Sequence, residues 1–294
     1  MKVVITGANG NIGKRLMRAL IDRGDHDILA LVRSDRAAET LIGAGFDVDI
    51  QIVNYDDAAG IRAAVKSCDV VFHLVGIIKE SKTNSFYLAH EAACKALCDA
   101  DLGAATVINL GIVGSDPDSL NACLRSRAEA EAILLAAAPK VISLRVPMVL
   151  GEGDYSSLAL ERNARKAMTV AFRAASLEQP VDSNDVIKAL LAAAETPLES
   201  CVLELAGPES LTRSALIKRA GQVLGRQPKV VSLPLWPGLL IAALLEKVMS
   251  NPPVTRAMLG VLDHNDDVKT QAACAALGIS LTPLDETLSR VLKV

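Results

Sequence analysis

The feature that most constrains this chain is the octet Thr6-Gly7-Ala8-Asn9-Gly10-Asn11-Ile12-Gly13, set between an apolar run and an amphipathic one. Lys2-Val3-Val4-Ile5 is short and β-branched, and it reads as a strand buried on both faces. From Asn11 to Arg23, Ile12, Leu16, Ala19, Leu20 and Ile21 recur at helical spacing. A strand that turns through glycines straight into a helix leaves the helix's first N–H groups and its positive dipole end facing the turn. That geometry suits a pyrophosphate. Gly7 permits the bend, Gly10 lets the backbone approach an anion, and Gly13 packs the helix closely on the sheet. Gly7, Gly10, Asn11, Ile12 and Gly13 are therefore expected to bind the diphosphate of a nicotinamide dinucleotide.

Asp27 to Arg33 reads as a second buried strand, and it ends on a cation about 20 residues after the turn, where ribose recognition is decided. An acid there would accept the 2'-hydroxyl of NAD, whereas Arg33, followed by Ser34 and Arg36, can pair with the 2'-phosphate of NADP. The other reading of Arg33 is a solvated charge at a loop start. The expected cofactor is NADP(H) in preference to NAD(H).

The alternation continues with a helix near 36–43, a strand at 47–54, a helix at 57–67 and a strand at 70–76. Asn54-Tyr55 stands where an adenine edge is met. Leu74, Val75 and Gly76 stand at the carboxyl end of the fourth strand, where ligands bind in open parallel sheets. His73, inside that strand, reads as a packed histidine. A helix at 84–101, a strand at 106–113, a helix at 119–138 and a strand at 140–149 complete the pattern. Strands and helices at this pitch imply right-handed crossovers, hence an α/β, Rossmann-type, doubly wound parallel sheet.

Residues 1–150 are expected to form the NAD(P)-binding domain, and 151–294 a smaller, mostly helical C-terminal substrate lobe, with about 178–198 returning to the first domain. In that lobe 158–175 reads as a helix. The apolar run 235–245 holds eleven residues, against the roughly 20 needed to cross a bilayer. It is an ordinary buried helix, a homodimer surface, or a peripheral membrane contact through Trp236.

Net charge of -3 over 294 residues argues against a nucleic-acid footprint. The six cysteines are scattered and read as buried, reduced thiols. Cys94 and Cys98 lie one turn apart, but no further pair completes a metal site. A strand beginning at residue 2 leaves no room for a signal segment, so a cytoplasmic protein is expected, with attachment to the inner face of a membrane as an option.

TGANGNIG at 6–13, LVR at 31–33, DVVFHLVGI at 69–77, RSRAEAE at 125–131, LRVPMVLGEGD at 144–154 and LAGPESLTRSAL at 205–216 form a combination. By it the chain resembles the atypical, extended short-chain dehydrogenase/reductases of the epimerase/dehydratase superfamily, most of all the branch containing an accessory subunit of respiratory complex I. The resemblance implies a Ser or Thr after the fifth strand and a YxxxK on the next helix. There the tyrosine moves the proton, while the lysine lowers its pKa and holds the nicotinamide ribose. In this chain Cys123 stands at the tyrosine position, Arg127 at the lysine position and Gly111 near the hydroxyl position. Arg127 can still hydrogen-bond ribose hydroxyls but stays protonated. Cys123 is either a thiol of lowered pKa acting as acid or base, or a small apolar filler. Ser115, Tyr155, Lys79 and Tyr87 are the remaining polar candidates, each reading as surface or packing.

Three functional expectations follow from the resemblance and these replacements. One is an oxidoreductase passing hydride to a quinone-like or other electron-poor acceptor, whose reduced anion takes its proton from water. Another is a catalytically degenerate, NADPH-binding accessory, assembly or sensor protein with a protein partner. The third is a nucleotide-sugar epimerase or dehydratase, which would need the missing tyrosine.

Overall fold

A computed structural model describes residues 1–24, 26–54, 56–81, 84–100, 102–249 and 251–292. In chain order the first elements are β1 (Lys2–Thr6), α1 (Asn11–Arg23), β2 (Asp27–Val32), α2 (Asp35–Gly43), β3 (Asp49–Ile52), α3 (Ala58–Val65) and β4 (Val70–His73). A π-helical turn (Leu88–Ala92) then runs into α4 (Ala93–Cys98), followed by β5 (Thr106–Ile112), α5 (Ala122–Ala137) and β6 (Lys140–Val146). After these come β7 (Val149–Leu150), α6 (Tyr155–Ala164), β8 (Met168–Phe172), β9 (Leu177–Glu178), β10 (Val181–Asp182), α7 (Ser183–Glu195) and β11 (Cys201–Glu204). The chain closes with β12 (Leu211–Thr212), α8 (Arg213–Val223), β13 (Lys229–Leu233), α9 (Leu235–Val248), α10 (Arg256–Gly260), α11 (Gln271–Leu277) and α12 (Leu284–Val291).

Seven strands form one sheet in the order β11-β6-β5-β4-β1-β2-β3. β1 lies parallel between β2 and β4, with Thr6 opposite both Leu31 and His73. The β2–β3 and β4–β5 pairs are parallel as well. Strand order reverses between β1 and β4, and that reversal opens a crevice at their carboxyl ends. The central strands β1, β4, β5 and β6 are buried on both faces, whereas the edge strands β3 and β11 are half-buried to exposed. Val4, Val71, Val107 and Val141 pack with α3, α4 and α5 through Ile61, Val65, Leu97 and Leu134. By strand alternation Val3, Ile5, Phe72, Ile108 and Ile142 fill the opposite face.

The chain divides into two compact units, Met1–Arg145 with Ile187–Leu203, and Val146–Val186 with Glu204–Val294. The returning stretch is thus 187–203, somewhat later than the expected 178–198. It brings β11 to the edge of the sheet beside β6.

The second unit is less helical than expected, because three two-stranded sheets accompany its helices. Its main core joins α6, α8 and α12 through Leu160, Ala164, Leu216, Ile217, Leu288 and Val291. The buried carboxylates Asp185 and Asp182 tie the start of α7 to the C-terminal segment. Asp185 accepts from Thr282 N and Oγ1 at 2.5 and 2.9 Å, and Asp182 accepts from Thr287 Oγ1 at 2.8 Å and Arg290 Nη2 at 2.6 Å.

The helix read over 158–175 stops at Ala164, and Met168–Phe172 is strand β8. Thr169 and Val170 are β-branched, burial alternates along the strand, and β13 offers a parallel partner over five residues. The run 235–245 is not an ordinary buried helix either. Leu235, Gly238 and Ala242 of α9 are buried, while Trp236, Leu240, Ile241 and Leu244 are exposed. No helix among the described residues is long and apolar enough to cross a membrane. Of the cysteines, Cys68, Cys94 and Cys123 are buried and Cys98, Cys201 and Cys274 half-buried, all with free thiols.

Candidate nucleotide-binding site

At the carboxyl ends of β1 and β4 lies a cavity of about 310 Å³, walled by Gly7, Asn9 and Gly10 of the turn, Arg33 and Asn54 beyond β2 and β3, and Leu74–Ile77. The turn is built by its glycines. Gly7 has a φ of 70°, and a Cβ there would press on the Leu74 carbonyl at 3.0 Å. A Cβ at Gly13 would stand 2.6 Å from the Ala8 carbonyl oxygen, so only glycine lets α1 start this close beneath the turn.

Gly10 is the N-cap of α1 and brings no capping side chain. The first helical bond is Lys14 N to Gly10 O at 2.9 Å, which leaves the amides of Asn11, Ile12 and Gly13 without a partner among the described residues. By contrast α2, α3 and α5 are capped by Ser34, Asp57 and Asn121. An uncapped helix start beside a glycine-walled cavity fits a bound diphosphate.

Arg33 is exposed at the cavity wall and forms no ion pair with a described residue. Ser34 is partly committed, since its Oγ accepts from Ala37 N at 3.3 Å as the α2 cap. Asn54 lines the cavity; Tyr55 lies outside the described residues. Asn11, Ile12 and Gly13 are not part of the cavity wall, so any contact of theirs runs through the free amides.

β4 ends at His73, so Leu74, Val75 and Gly76 leave the sheet and wall the cavity instead of extending the strand. Arg127 lies directly beneath them. Its Nη1 donates to Val75 O at 3.1 Å and Leu110 O at 3.3 Å, tying together the ends of β4 and β5. A Cβ on Gly76 would fall 1.5 Å from Arg127 Nη2, so Gly76 is glycine because the guanidinium occupies that space. Arg127 Nε is buried with no partner among the described residues.

Cys123 does not become the activated thiol that its charged neighbour suggested. It is fully buried, burial pushes its pKa up against the opposing pull of Arg127, and Sγ donates to Ile77 O at 3.5 Å. Position 111 also turns out differently: a side chain on Gly111 would face Arg145 and Glu131. Glu131 there accepts from Arg145 Nε at 3.1 Å and from Ser143 Oγ at 2.6 Å. Ser115 Oγ donates to Ile112 O at 2.7 Å within a turn, Tyr87 lies under Lys95, and Tyr155 is exposed at the start of α6. Lys79 is half-buried and is not part of the cavity wall.

Sequence reasoning missed His90. It sits in the π-helical turn, buried, and its Nε2 accepts from Ile77 N at 3.1 Å. That fixes the tautomer: Nδ1–H donates to Ser126 Oγ at 3.2 Å, and Ser126 Oγ–H donates to Glu91 Oε1 at 3.0 Å. Ile77 is thus gripped at its N–H by His90 and at its carbonyl by Cys123. His73, as expected, is packed, with Thr6 Oγ1 2.9 Å from Nδ1 and Cys94 Sγ 3.4 Å from Nε2. Burial first and the charge of Arg127 second lower the pKa of His73 to about 4 and of His90 to about 3. Asp56, Asn84, Leu88 and Ala89 also wall the cavity and were not singled out from sequence. Among the described residues no cluster could hold a metal ion.

Residues 7–122 match a protein family described as NAD(P)H-binding. The chain is 26% identical to ceramide reductase of Caulobacter vibrioides, over 93% of this chain and 87% of that protein. It is 26% identical to the mitochondrial NADH dehydrogenase [ubiquinone] 1 alpha subcomplex subunit 9 of Arabidopsis thaliana, over 78% of this chain and 60% of that one. The solved triphenylmethane reductase of Citrobacter sp. shares the fold with a TM-score of 0.77 at 18% identity, each chain covered completely.

Proposed function

We propose that this chain is an atypical member of the NAD(P)-binding short-chain dehydrogenase/reductase superfamily and works as an NADP(H)-dependent reductase whose acceptor is lipophilic and electron-poor, a quinone or a carbonyl conjugated in the same way. The observation that carries this reading is the pairing of a glycine-walled dinucleotide crevice with positions 123 and 127 that hold no tyrosine and no lysine. Cys123 is a buried thiol of raised pKa and Arg127 is committed to two carbonyls. Ketone or alcohol chemistry would lose roughly 100- to 10,000-fold without a positioned acid. An acceptor whose reduced oxygen is a stabilised anion takes its proton from water and tolerates that loss. The reductase named for ceramide, similar over most of both chains, supports an acceptor of lipid character.

Bound NADPH would supply the hydride. The amides of Asn11, Ile12 and Gly13 would hold its diphosphate, Arg33 would meet its 2'-phosphate, and Asn54 would stand at its adenine side. Arg127, from below, fixes the height of Leu74–Gly76, and the grip on Ile77 sets where the acceptor can approach.

The cofactor assignment is tested by calorimetric titration with NADPH and NADH. Arg33→Asp is expected to weaken NADPH by about 10- to 100-fold, the usual size of a charge-assisted phosphate contact, and to reverse the preference. An unchanged preference would defeat the 2'-phosphate contact. The acceptor is tested by NADPH oxidation with short-chain quinones and with ketone-bearing lipids in detergent. A second reading, favoured by the structural commitment of Arg127, is an accessory protein that holds NADPH without turnover. It is distinguished by a melting shift with NADPH and no oxidation by any acceptor.

A further inference from the structure

α9 reverses the ordinary pattern of a surface helix. Its inner side packs Leu235, Gly238 and Ala242 near Phe172 and Leu259, so closely that a Cβ on Gly238 would meet Phe172 at 2.7 Å. At 100° per residue the opposite arc carries Trp236, Leu240, Ile241, Leu244 and Val248, which are 58–84% exposed. Lys247 is the one charged residue on that arc, and it forms no ion pair with a described residue. Glu246 lies toward the inner side, where it accepts from Arg256 N at 2.7 Å and Nε at 2.8 Å. No acid interrupts the outward arc.

The surrounding charge has the same sign. Residues 226–256 contain Arg226, Lys229, Lys247 and Arg256 against the single acid Glu246, a local charge of +3 in a chain whose net charge is -3. In the strand pair that leads into α9, Met168 and Val170 are exposed, and Lys229 stands opposite Met168 in register.

We propose that α9 is an interfacial helix that seats this unit on an anionic lipid surface. It lies in the membrane plane with the Trp236–Val248 arc below the headgroups and Lys247 at the phosphate level. With 14 residues it is too short to span. A second copy of the chain fits less well. A two-fold pairing of this arc would bury Lys247 against apolar side chains or against its own mate, with no acid to answer it. The inference goes beyond the proposed reductase activity and stands whether or not hydride is transferred.

Trp236 is the chain's single tryptophan, so emission excited selectively in the indole band reports on this helix alone. The test titrates the full-length protein with phosphatidylcholine vesicles containing phosphatidylglycerol, and with phosphatidylcholine alone. The expected result is a blue shift and co-sedimentation with the anionic vesicles, diminished by salt, together with quenching of Trp236 by lipids brominated on the acyl chain. Lys247→Glu should weaken binding to anionic vesicles at least about fivefold. The double variant Leu240→Glu/Leu244→Glu, at exposed positions, should abolish it while keeping the NADPH-induced melting shift. Absence of brominated-lipid quenching in the unaltered protein would overturn the proposal and requires no variant. A lipid-independent blue shift that rises with protein concentration, with a dimer by light scattering that the double variant dissolves, would overturn it in favour of self-association.

Discussion

The two halves of the crevice are built on opposite terms. Around the glycine turn the protein leaves its own groups unanswered, with three amides and the Arg33 cation lacking partners among the described residues. Around Leu74–Ile77 four backbone groups are answered from within, the first of them Leu74 N by Thr6 O at 3.2 Å. Arg127 bonds to two carbonyls, His90 accepts from Ile77 N, and Cys123 donates to Ile77 O. A wall whose donors are free is set up to receive a ligand, and one tied by its own side chains is set up to hold a shape. On the proposed reading, the half around Leu74–Ile77 acts by position, and Cys123 and Arg127 are positioning residues.

The contrast is broken most severely at the turn. Gly13→Val should cost on the order of 100-fold in dinucleotide affinity, because the nearest neighbour is backbone and cannot give way. Titration of the variant against both nicotinamide nucleotides checks this, and near-normal binding would mean that α1 need not start so close to the turn.

A smaller effect is expected at the other half, where Gly76 and Arg127 are complementary. Gly76→Ala evicts a guanidinium tip and parts a half-buried charge from two carbonyls, at a cost of about 3 kcal/mol by urea denaturation. Adding Arg127→Leu should recover part of that loss, since the space is freed and the charge removed together. Strictly additive effects would show that the two positions are independent.

The grip on Ile77 should matter less again. His90→Leu leaves the Ile77 amide without its acceptor, for about 1–3 kcal/mol of stability. If the residue positions the cavity wall, NADPH affinity falls by about tenfold as well. His90→Gln, which restores a side-chain carbonyl, should recover affinity more than it recovers melting temperature. Equal recovery of both would mark His90 as simply structural.

These outcomes also show what could be read from the chain alone. The glycine turn was legible because strand, turn and helix start lie within a dozen consecutive residues and each glycine answers a local steric demand. The doubly wound parallel sheet followed from the alternation of apolar runs, but its strand order and its seventh strand, β11, did not. His90 was not legible, because its role depends on a π-helical turn that rotates one imidazole toward an amide 13 residues earlier. Nor was the fit of Gly76 to Arg127, which needs the register of α5 against β4. For α9 the run 235–245 is apolar all round, so periodicity could not say which arc would stay uncovered. At 168–172 the strand was hidden because its partner lies some 60 residues downstream.

The mildest expected effect near neutrality concerns protons. His73 and His90 are held neutral, with pKa values of about 4 and about 3 against an ordinary 6.5. The unfolded chain therefore takes up protons first as pH falls, and stability rises with pH wherever the unfolded state binds more protons. This contribution is fully present above pH 6.5. It declines below that, levelling off near pH 4 for His73 and near pH 3 for His90. Denaturation at pH 7.5, 6 and 5 should show a progressive loss that is shallower in His73→Gln/His90→Gln. An identical slope in the double variant would move the acid sensitivity away from these two histidines.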